Sequence, residues 1–188
     1  MQTKRRQIKF LEKKEVEKII DTIPTTGYKN LRDRALIEVL FSTGMRISEA
    51  LKIQIKELAN ISSMNEPLEL AVIGKGGWQR VVFFSPQALK AVKKYFFIAP
   101  LRDNQEALFP ITIRGARYMV KRRAKQAGID KPVSPHVFRH SLATDLLRKG
   151  VDISFVSKFL GHRSLNNTMI YAHIVDPQLL AIHKKLYK

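Results

Sequence analysis

Hydrophobic residues recur every three or four positions along most of the chain, and this spacing predicts helices. One such helix is predicted to end at Gly44, a residue type suited to a helix C-terminus. Its apolar residues are Leu31, Ala35, Leu36, Val39 and Leu40. The same spacing predicts further helices within residues 11–23, 85–101 and 111–129. The chain is therefore expected to be mainly helical.

The hydrophobic period shortens to two between residues 68 and 84. The runs LELAVI and QRVVFF are rich in β-branched and aromatic residues, and they flank the turn-forming sequence GKGG. These features predict a β-hairpin with Lys75 in or beside its turn. The expected fold class is mainly α with one small β-hairpin or sheet.

Several residues of the types that begin and end helices follow residue 133. Ser134 can cap a helix N-terminus with its hydroxyl, and Pro135 suits the first helical position. Gly150 favours a helix end, so a helix is predicted over residues 135–149. On this helix His136, Arg139 and His140 stand at i, i+3 and i+4 and share one side, which is predicted to offer cationic donors. The apolar residues of another side, predicted to face the core, are Phe138, Leu142 and Leu146.

Two shorter helical segments are predicted to follow. Asp152 is expected to cap the first, and Gly161 is expected to end it in the left-handed conformation, which puts His162 just past the helix end. The second segment holds Tyr171. This order of elements allows Arg139, two histidines and Tyr171 to converge, with neither metal-ligand spacing nor a glycine-rich phosphate loop beside them.

The charge of the chain points to a polyanionic partner. Its 188 residues include 34 Lys and Arg against 16 Asp and Glu, a formal net charge of +18, and 45% of them are hydrophobic. This balance favours a folded domain that binds nucleic acid over a disordered basic tail. A general RNA-binding protein would share the charge, so the charge alone identifies no activity. The cluster KRR within residues 1–9 is either a basic arm that contacts phosphates or a solvated terminus.

The cysteine content and the hydropathy of the chain indicate the cellular compartment of the protein. There is no cysteine, which excludes disulfides and thiolate zinc sites and favours a reducing compartment. No run approaches the roughly 20 apolar residues that a membrane span needs, and no signal-like segment opens the chain. A cytoplasmic, nucleoid-associated protein without a membrane partner is expected.

The predicted helix within residues 111–129 is unusually basic. Such a helix side is either a surface for the DNA backbone or a plain solvated face, and the density of cations favours the first. The residues predicted to contact the DNA backbone here are Arg114, Arg117, Lys121, Arg122 and Arg123.

Arg46 has two interpretations from its position alone. It lies in a turn between two predicted helices, where an arginine is most often a structural ion-pair partner, here of Glu49. A guanidinium also presents a rigid fork of donors to two phosphate oxygens, which a lysine does not match. The second interpretation depends on the other motifs of the chain.

Four motifs together resemble those of the tyrosine recombinase family, which includes phage integrases and Xer-like enzymes. The run HVFRH, then LGH, then Tyr171 nine positions after His162, is similar to the C-terminal catalytic motifs of that family. The run TGMRISEAL at 43–51 resembles its first arginine motif, and GKGGWQR at 74–80 resembles its β-hairpin lysine motif. Trp78 stands where the family often has another basic residue, which leaves Lys75 as the only lysine in the predicted turn.

The resemblance implies the fold of a tyrosine recombinase catalytic domain, the DNA breaking-rejoining enzyme fold. It implies strand cleavage and rejoining through a 3′-phosphotyrosyl intermediate, without metal, ATP or another cofactor. Tyr171 would be the nucleophile, with Arg46 and Arg139 as the phosphate clamp. The remaining implied roles fall to Lys75 as general acid, His136 as general base, His162 as a phosphate hydrogen-bond donor, Glu49 and His140 as supporting residues, and Arg80 as a DNA contact.

The resemblance also carries expectations about domains and partners. A single catalytic domain is expected over residues 1–188, without the N-terminal core-binding domain that the family usually carries. The tail at 176–188 is expected either to dock on a neighbouring protomer or to fold back on its own body. The expected partners are double-stranded DNA and further copies of the chain, as a tetramer on paired sites. Two alternatives stay open: DNA relaxation of the type IB topoisomerase kind, and a non-catalytic DNA-binding regulator.

Overall fold

The computed structural model describes residues 10–58, 69–74, 77–98, 106–161 and 168 of the chain. The predicted basic arm, the C-terminal tail and the segment around Tyr171 lie outside the described residues. The described elements, in chain order, are α1 (Lys13–Thr22), α2 (Tyr28–Thr43), α3 (Ile47–Ala50), a 3₁₀ turn (Ile55–Leu58), β1 (Glu69–Ile73), β2 (Gln79–Phe83), α4 (Pro86–Ile98), α5 (Ile113–Gln126), α6 (Pro135–Arg148) and α7 (Ile153–Leu160). The predicted fold class, mainly α with one β-hairpin, is confirmed.

The helix α2 forms the centre of the described structure. It packs against α4 and α6 and contacts α1, α3, α5 and β2 as well. Leu36, Ile37, Val39 and Leu40 are fully buried on it, and burying each such side chain stabilises the fold by roughly 1.5–3 kcal/mol. No described helix is long and apolar enough to cross a membrane.

The two strands form an antiparallel hairpin whose register is regular. Leu70 pairs with Val82 and Val72 pairs with Arg80, and burial alternates along β1 so that Leu70 and Val72 face the body of the protein. Because side chains of a strand alternate between faces, Arg80 and Val82 share this inward face. The hairpin thus delivers Arg80 to the interior side of the sheet.

Two of the three predicted caps after residue 133 are confirmed. Asp152 accepts a hydrogen bond from the Ser154 backbone N–H at 2.7 Å, and Gly161 ends α7 with φ of 66°. The predicted hydroxyl cap at Ser134 is wrong, because its side chain accepts no bond from the first turn of α6. Pro135 at the start of α6 has no N–H, which leaves one fewer donor to satisfy there.

The prediction that α6 has one packed side and one open cationic side is also wrong in part. Arg139 is only 6% exposed, whereas His136 is exposed and His140 is half-buried. The reason is that α6 is enclosed by α1, α2, α5 and α7. Arg139 therefore lies inside the protein, and its donors have partners there.

Candidate active site

A left-handed glycine brings Arg46 to the junction of three helices. Gly44 ends α2 with φ of 61°, and a methyl group at this position would lie 2.7 Å from a methyl of Leu160 and 3.1 Å from one of Leu142. Only glycine suits both this conformation and this close approach. The turn packs the end of α2 against α6 and α7, and Arg46 follows as the N-cap residue of α3.

Glu49 holds two arginines with one carboxylate. The Arg46 backbone N–H donates to Glu49 Oε2 at 2.8 Å and Arg46 Nη1 donates to Oε1 at 3.0 Å, so the predicted ion pair is confirmed. Arg80 Nη2 donates to Oε2 at 2.7 Å and Nη1 to Oε1 at 3.2 Å, which makes a two-bond pair from the hairpin. Such paired contacts fix orientation as well as distance. Glu49 is therefore the residue that orients Arg46.

The carboxyl of Glu49 is charged despite its burial. Burial alone would raise its pKa, but hydrogen bonds from Arg80 and from the Arg46 backbone outweigh that effect and lower the pKa below its ordinary value of 4.5. A carboxyl with a lowered pKa stabilises the fold above its unfolded-state pKa, and this stabilisation is lost as the pH falls through the folded-state pKa. Glu49 thus contributes stability at neutral pH and loses it in acid.

We expect Glu49→Gln to lower the free energy of unfolding at neutral pH by about 2–4 kcal/mol, because the largely buried guanidinium of Arg80 and the partly exposed one of Arg46 lose their counter-charge. The loss should shrink as the pH falls from the unfolded-state pKa through the lowered folded-state pKa of Glu49, where the wild-type carboxyl also becomes protonated. Urea unfolding as a function of pH measures both effects. Glu57→Gln is the matched control: Glu57 accepts from the Gln54 backbone N–H at 2.7 Å in the same way, but at an exposed site. Equal losses in the two variants would contradict the assignment of Glu49.

Arg80 packs into the protein in place of the predicted DNA contact. Its side chain is 11% exposed, and both of its terminal nitrogens bind Glu49. A methyl group at Gly161 would lie 2.8 Å from Arg80 Cδ, and one at Gly74 would lie 3.5 Å from Arg80 Nη1 and from Glu49 Oε1. Arg80 thus joins α3, the hairpin turn and the end of α7.

The guanidinium of Arg139 bridges two helix ends. Its Nη1 donates to the Gly44 carbonyl and its Nη2 to the Leu160 carbonyl, each at 2.6 Å. These carbonyls lie at the C-termini of α2 and α7, where the helix dipole carries partial negative charge and stabilises a cation. Arg139 is thereby fixed close to the turn that carries Arg46.

Three guanidinium charges act on His136. Partial burial lowers its pKa below the ordinary value of 6.5, and the charges of Arg139, Arg117 and Arg46 lower it further. His136 is therefore neutral at pH 7 and able to accept a proton. His140 is half-buried, and burial, then His136 and Arg139, lower its pKa too.

Arg117 of α5 is a residue of the candidate active site that was not predicted there from the sequence. Arg117 was predicted only as a DNA-backbone contact, and the structure brings it close enough to His136 to affect its pKa. No periodicity or spacing in α5 signals this proximity, because it depends on how α5 packs against α3 and α6.

Arg123 does not belong to the exposed side of α5. It is 6% exposed, donates to Asp33 through Nε at 3.0 Å and Nη2 at 2.7 Å, and donates to Asn30 Oδ1 at 2.7 Å. At about 100° per residue, position 123 falls opposite positions 114 and 121 on the helix. Arg122 lies at the edge, 46% exposed and 3.4 Å from Asp33. The cations that α5 presents to solvent are Arg114, Arg117, Lys121, Arg122 and Lys125.

Lys75, His162 and Tyr171 lie outside the described residues. For Lys75 and His162, however, the residue that precedes each of them in the chain is described. Gly74 precedes Lys75 and Gly161 precedes His162, and both glycines approach Arg80 closely. The chain therefore leaves the described structure toward Lys75 and toward His162 from points beside the same arginine.

Comparison with known proteins gives one consistent family. Residues 9–177 match the family model described as "Phage integrase family". The chain is 38% identical over 177 residues to "Tyrosine recombinase XerD" of Corynebacterium glutamicum, covering 88% of this chain and 57% of that protein. It is 36% identical over 165 residues to "Tyrosine recombinase XerC" of Leptospira interrogans, covering 84% of this chain and 51% of the relative. The chain thus spans little more than half the length of these curated relatives.

Solved structures give the same result. XerH site-specific recombinase bound to palindromic difH substrate, in a post-cleavage complex, matches with a TM-score of 0.79 and 27% identity over 97% of this chain and 54% of that one. XerA recombinase matches with a TM-score of 0.75 and 28% identity over 96% and 65%. The catalytic domain of bacteriophage HP1 integrase, at 22% identity and a TM-score of 0.64, shares the fold over 95% of both chains.

Proposed function

Because the chain belongs to the phage integrase family, we propose that it cleaves and rejoins DNA strands for site-specific recombination, through a 3′-phosphotyrosyl intermediate on Tyr171. The observation that supports this most directly is that Arg139 binds the carbonyl of Gly44, in the turn that leads to Arg46, while Glu49 holds Arg46. Two guanidiniums held at one turn, with a neutral His136 whose pKa their charges lower, suit the attack of a hydroxyl on a phosphodiester. The XerH complex with difH shows a relative of this fold on DNA.

The described residues supply charge stabilisation for the transition state. Attack on a phosphodiester builds negative charge on the non-bridging oxygens, and preorganised cations lower the barrier most. Arg46 is preorganised by Glu49, and its side chain is still 32% exposed, so it can reach a phosphate. Arg139, held between two helix ends, forms the inner member of the clamp.

Proton transfers require two further groups. A free phenol has a pKa of about 10, so Tyr171 loses its proton as it attacks, and neutral His136 is the proposed acceptor. Lys75 is the proposed general acid for the leaving 5′ oxygen, and His162 is proposed to hydrogen-bond the phosphate. The phosphotyrosyl link conserves the energy of the phosphodiester, so rejoining requires neither ATP nor another cofactor.

Strand exchange separates this function from its alternatives. The cognate site is first mapped as the position of covalent complexes on DNA of the source element. Two duplexes that carry this site are then incubated with the chain, and a supercoiled plasmid with the same site is assayed in parallel. Recombinant duplexes support the proposal. Relaxation of the plasmid without recombinants would indicate topoisomerase-like activity, and binding without any covalent complex would indicate a regulator.

The proposed partner is double-stranded DNA, bound by further copies of the chain as a tetramer on paired sites. The exposed cations of α5 form the proposed contact with the DNA backbone beside the active site. A protein with this partner is expected in the cytoplasm, associated with the nucleoid.

We expect Arg114→Gln combined with Lys121→Gln to flatten the dependence of DNA affinity on salt. Each phosphate contact contributes a slope of about 0.9 in log affinity against log salt, so the pair should remove about 2. Fluorescence anisotropy of a labelled duplex over a salt series measures the slope. Arg123→Met is the buried control, and it should keep the wild-type slope. It should lose stability because Asp33 loses its pair with Arg123, although Asp33 keeps its pair with Arg32 at 2.7 Å. An unchanged slope in the double variant would mean that this side of α5 faces solvent in the complex.

A further inference from the structure

The hairpin ends in a tryptophan that has little of the protein around it. Ile73 pairs with Gln79 as the last strand pair, and the Gly74 backbone N–H donates to the Trp78 carbonyl at 2.8 Å, so the ladder continues by one pair. Gly77 turns the chain with φ of 80° just before it. Trp78 is therefore held by a backbone hydrogen bond at the end of the strand ladder, and yet it is 70% exposed.

The register puts Trp78 on the inward face of the hairpin. Side chains alternate along a strand, so Trp78 shares a face with Arg80 and Val82. Val82 is fully buried and Arg80 binds Glu49, which means that this face looks toward the body and the arginine cluster. Trp78 is thus the next residue beyond Arg80 on the inward face of the hairpin, and Arg80 binds the same carboxylate as Arg46.

The residue opposite Trp78 gives it no packing partner. Gly74 has no side chain, so the cross-strand contact that usually stabilises an aromatic on a sheet is absent at this pair. Most of the large apolar area of the indole therefore remains in water. Folding of the described structure gives no reason for a tryptophan here, whereas a ligand that covers the ring would.

We propose that Trp78 is a DNA-contacting residue whose indole packs against the deoxyribose and base edges of the groove beside the scissile phosphate. This inference rests on the proposed function. The surrounding arginines attract phosphates, and an apolar ring at their edge then meets the sugars and bases next along the strand. Aromatic and apolar side chains bind nucleic acid in this way through stacking and groove insertion. Because the ring carries no charge, salt does not screen this contact.

The chain has one tryptophan, so its fluorescence reports on Trp78 alone. Acrylamide quenching is measured on the 188-residue chain, free and with a mixed-sequence DNA duplex at low salt. Binding is followed separately by the anisotropy of a dye on the duplex. We expect the quenching constant to fall severalfold when the duplex binds and to recover when high salt releases it. A fall that follows the anisotropy supports the contact.

Variants give a second readout. Trp78→Ala should weaken duplex binding roughly tenfold, the lower part of the range for aromatic contacts with bases, and should keep the slope against salt unchanged. Trp78→Lys should steepen that slope by about 1, because a phosphate contact replaces an apolar one. Phe97→Ala, which removes another aromatic that is 64% exposed, is the control and should bind like the wild type.

The outcomes separate this inference from the proposed function. If the duplex binds while Trp78 stays as accessible to acrylamide as in the free chain, the indole does not contact DNA and the inference fails, although the proposed function stands. A Trp78→Ala variant with wild-type affinity would overturn it as well. If no duplex binds at any salt concentration, the proposed function and the inference both fail.

Discussion

Lys75→Ala should cleave DNA that carries sulfur in place of the scissile 5′-bridging oxygen far faster than it cleaves ordinary DNA. If Lys75 protonates the departing oxygen, its removal is harmful because an alkoxide is a poor leaving group. A general acid of this kind contributes about 10²–10⁴-fold to the rate. A thiol ionises near pH 8.5 and leaves as a thiolate with little help, so most of the loss should be recovered. Single-turnover cleavage of the two substrates measures the recovery.

Arg46→Ala should not recover on the same sulfur substrate. Its guanidinium is held by Glu49. Its proposed role is to stabilise charge on the non-bridging oxygens, and the substitution of the bridging atom leaves those oxygens unchanged. Loss of one such donor costs about 10²–10³-fold in rate. Arg139→Ala should behave in the same way, with added loss of stability because the Gly44 and Leu160 carbonyls lose their partner. Equal rescue of all three variants, or no rescue of Lys75→Ala, would move the general acid to another residue, with Arg80 and His162 the next candidates.

Local contacts were predictable from the sequence, and distant ones were not. The helix ends at Gly44 and Gly161 follow from single residues, and the pair Arg46–Glu49 spans three positions on one helical turn. Arg80 lies 31 positions from Glu49, and Arg139 lies 95 positions from Gly44. Pairings of this kind depend on how the hairpin and α6 pack, which a hydrophobic period does not specify.

One error could have been avoided from the sequence alone. The apolar positions of α5 are Ala116, Met119, Val120 and Ala124. At about 100° per residue, Arg123 falls among these positions, whereas Arg114 and Lys121 fall opposite them. The pattern therefore already separated the buried arginine from the exposed ones. Its partner Asp33 is fully buried on α2, 90 positions away, and nothing local indicates that pairing.

Tyr171→Phe should bind DNA with wild-type affinity and form no covalent complex. The substitution removes one hydroxyl, and that oxygen is the proposed nucleophile, so the expected loss of cleavage is complete. Arg46 and Arg139, which are proposed to bind the phosphate, are unchanged, and this is why affinity should persist. Tyr118→Phe is the matched control, since Tyr118 is 69% exposed on α5 and has no proposed role in the chemistry.

The measurement that tests the central claim most directly is covalent trapping on a nicked suicide substrate, resolved on a denaturing gel. The nick lets the short 5′-hydroxyl strand diffuse away after cleavage, so the phosphotyrosyl complex accumulates. We expect a slow-migrating protein–DNA species with the wild type and with Tyr118→Phe, and none with Tyr171→Phe. A covalent species that persists in Tyr171→Phe would contradict the nucleophile, and the absence of one from the wild type on every cognate site would contradict strand cleavage itself.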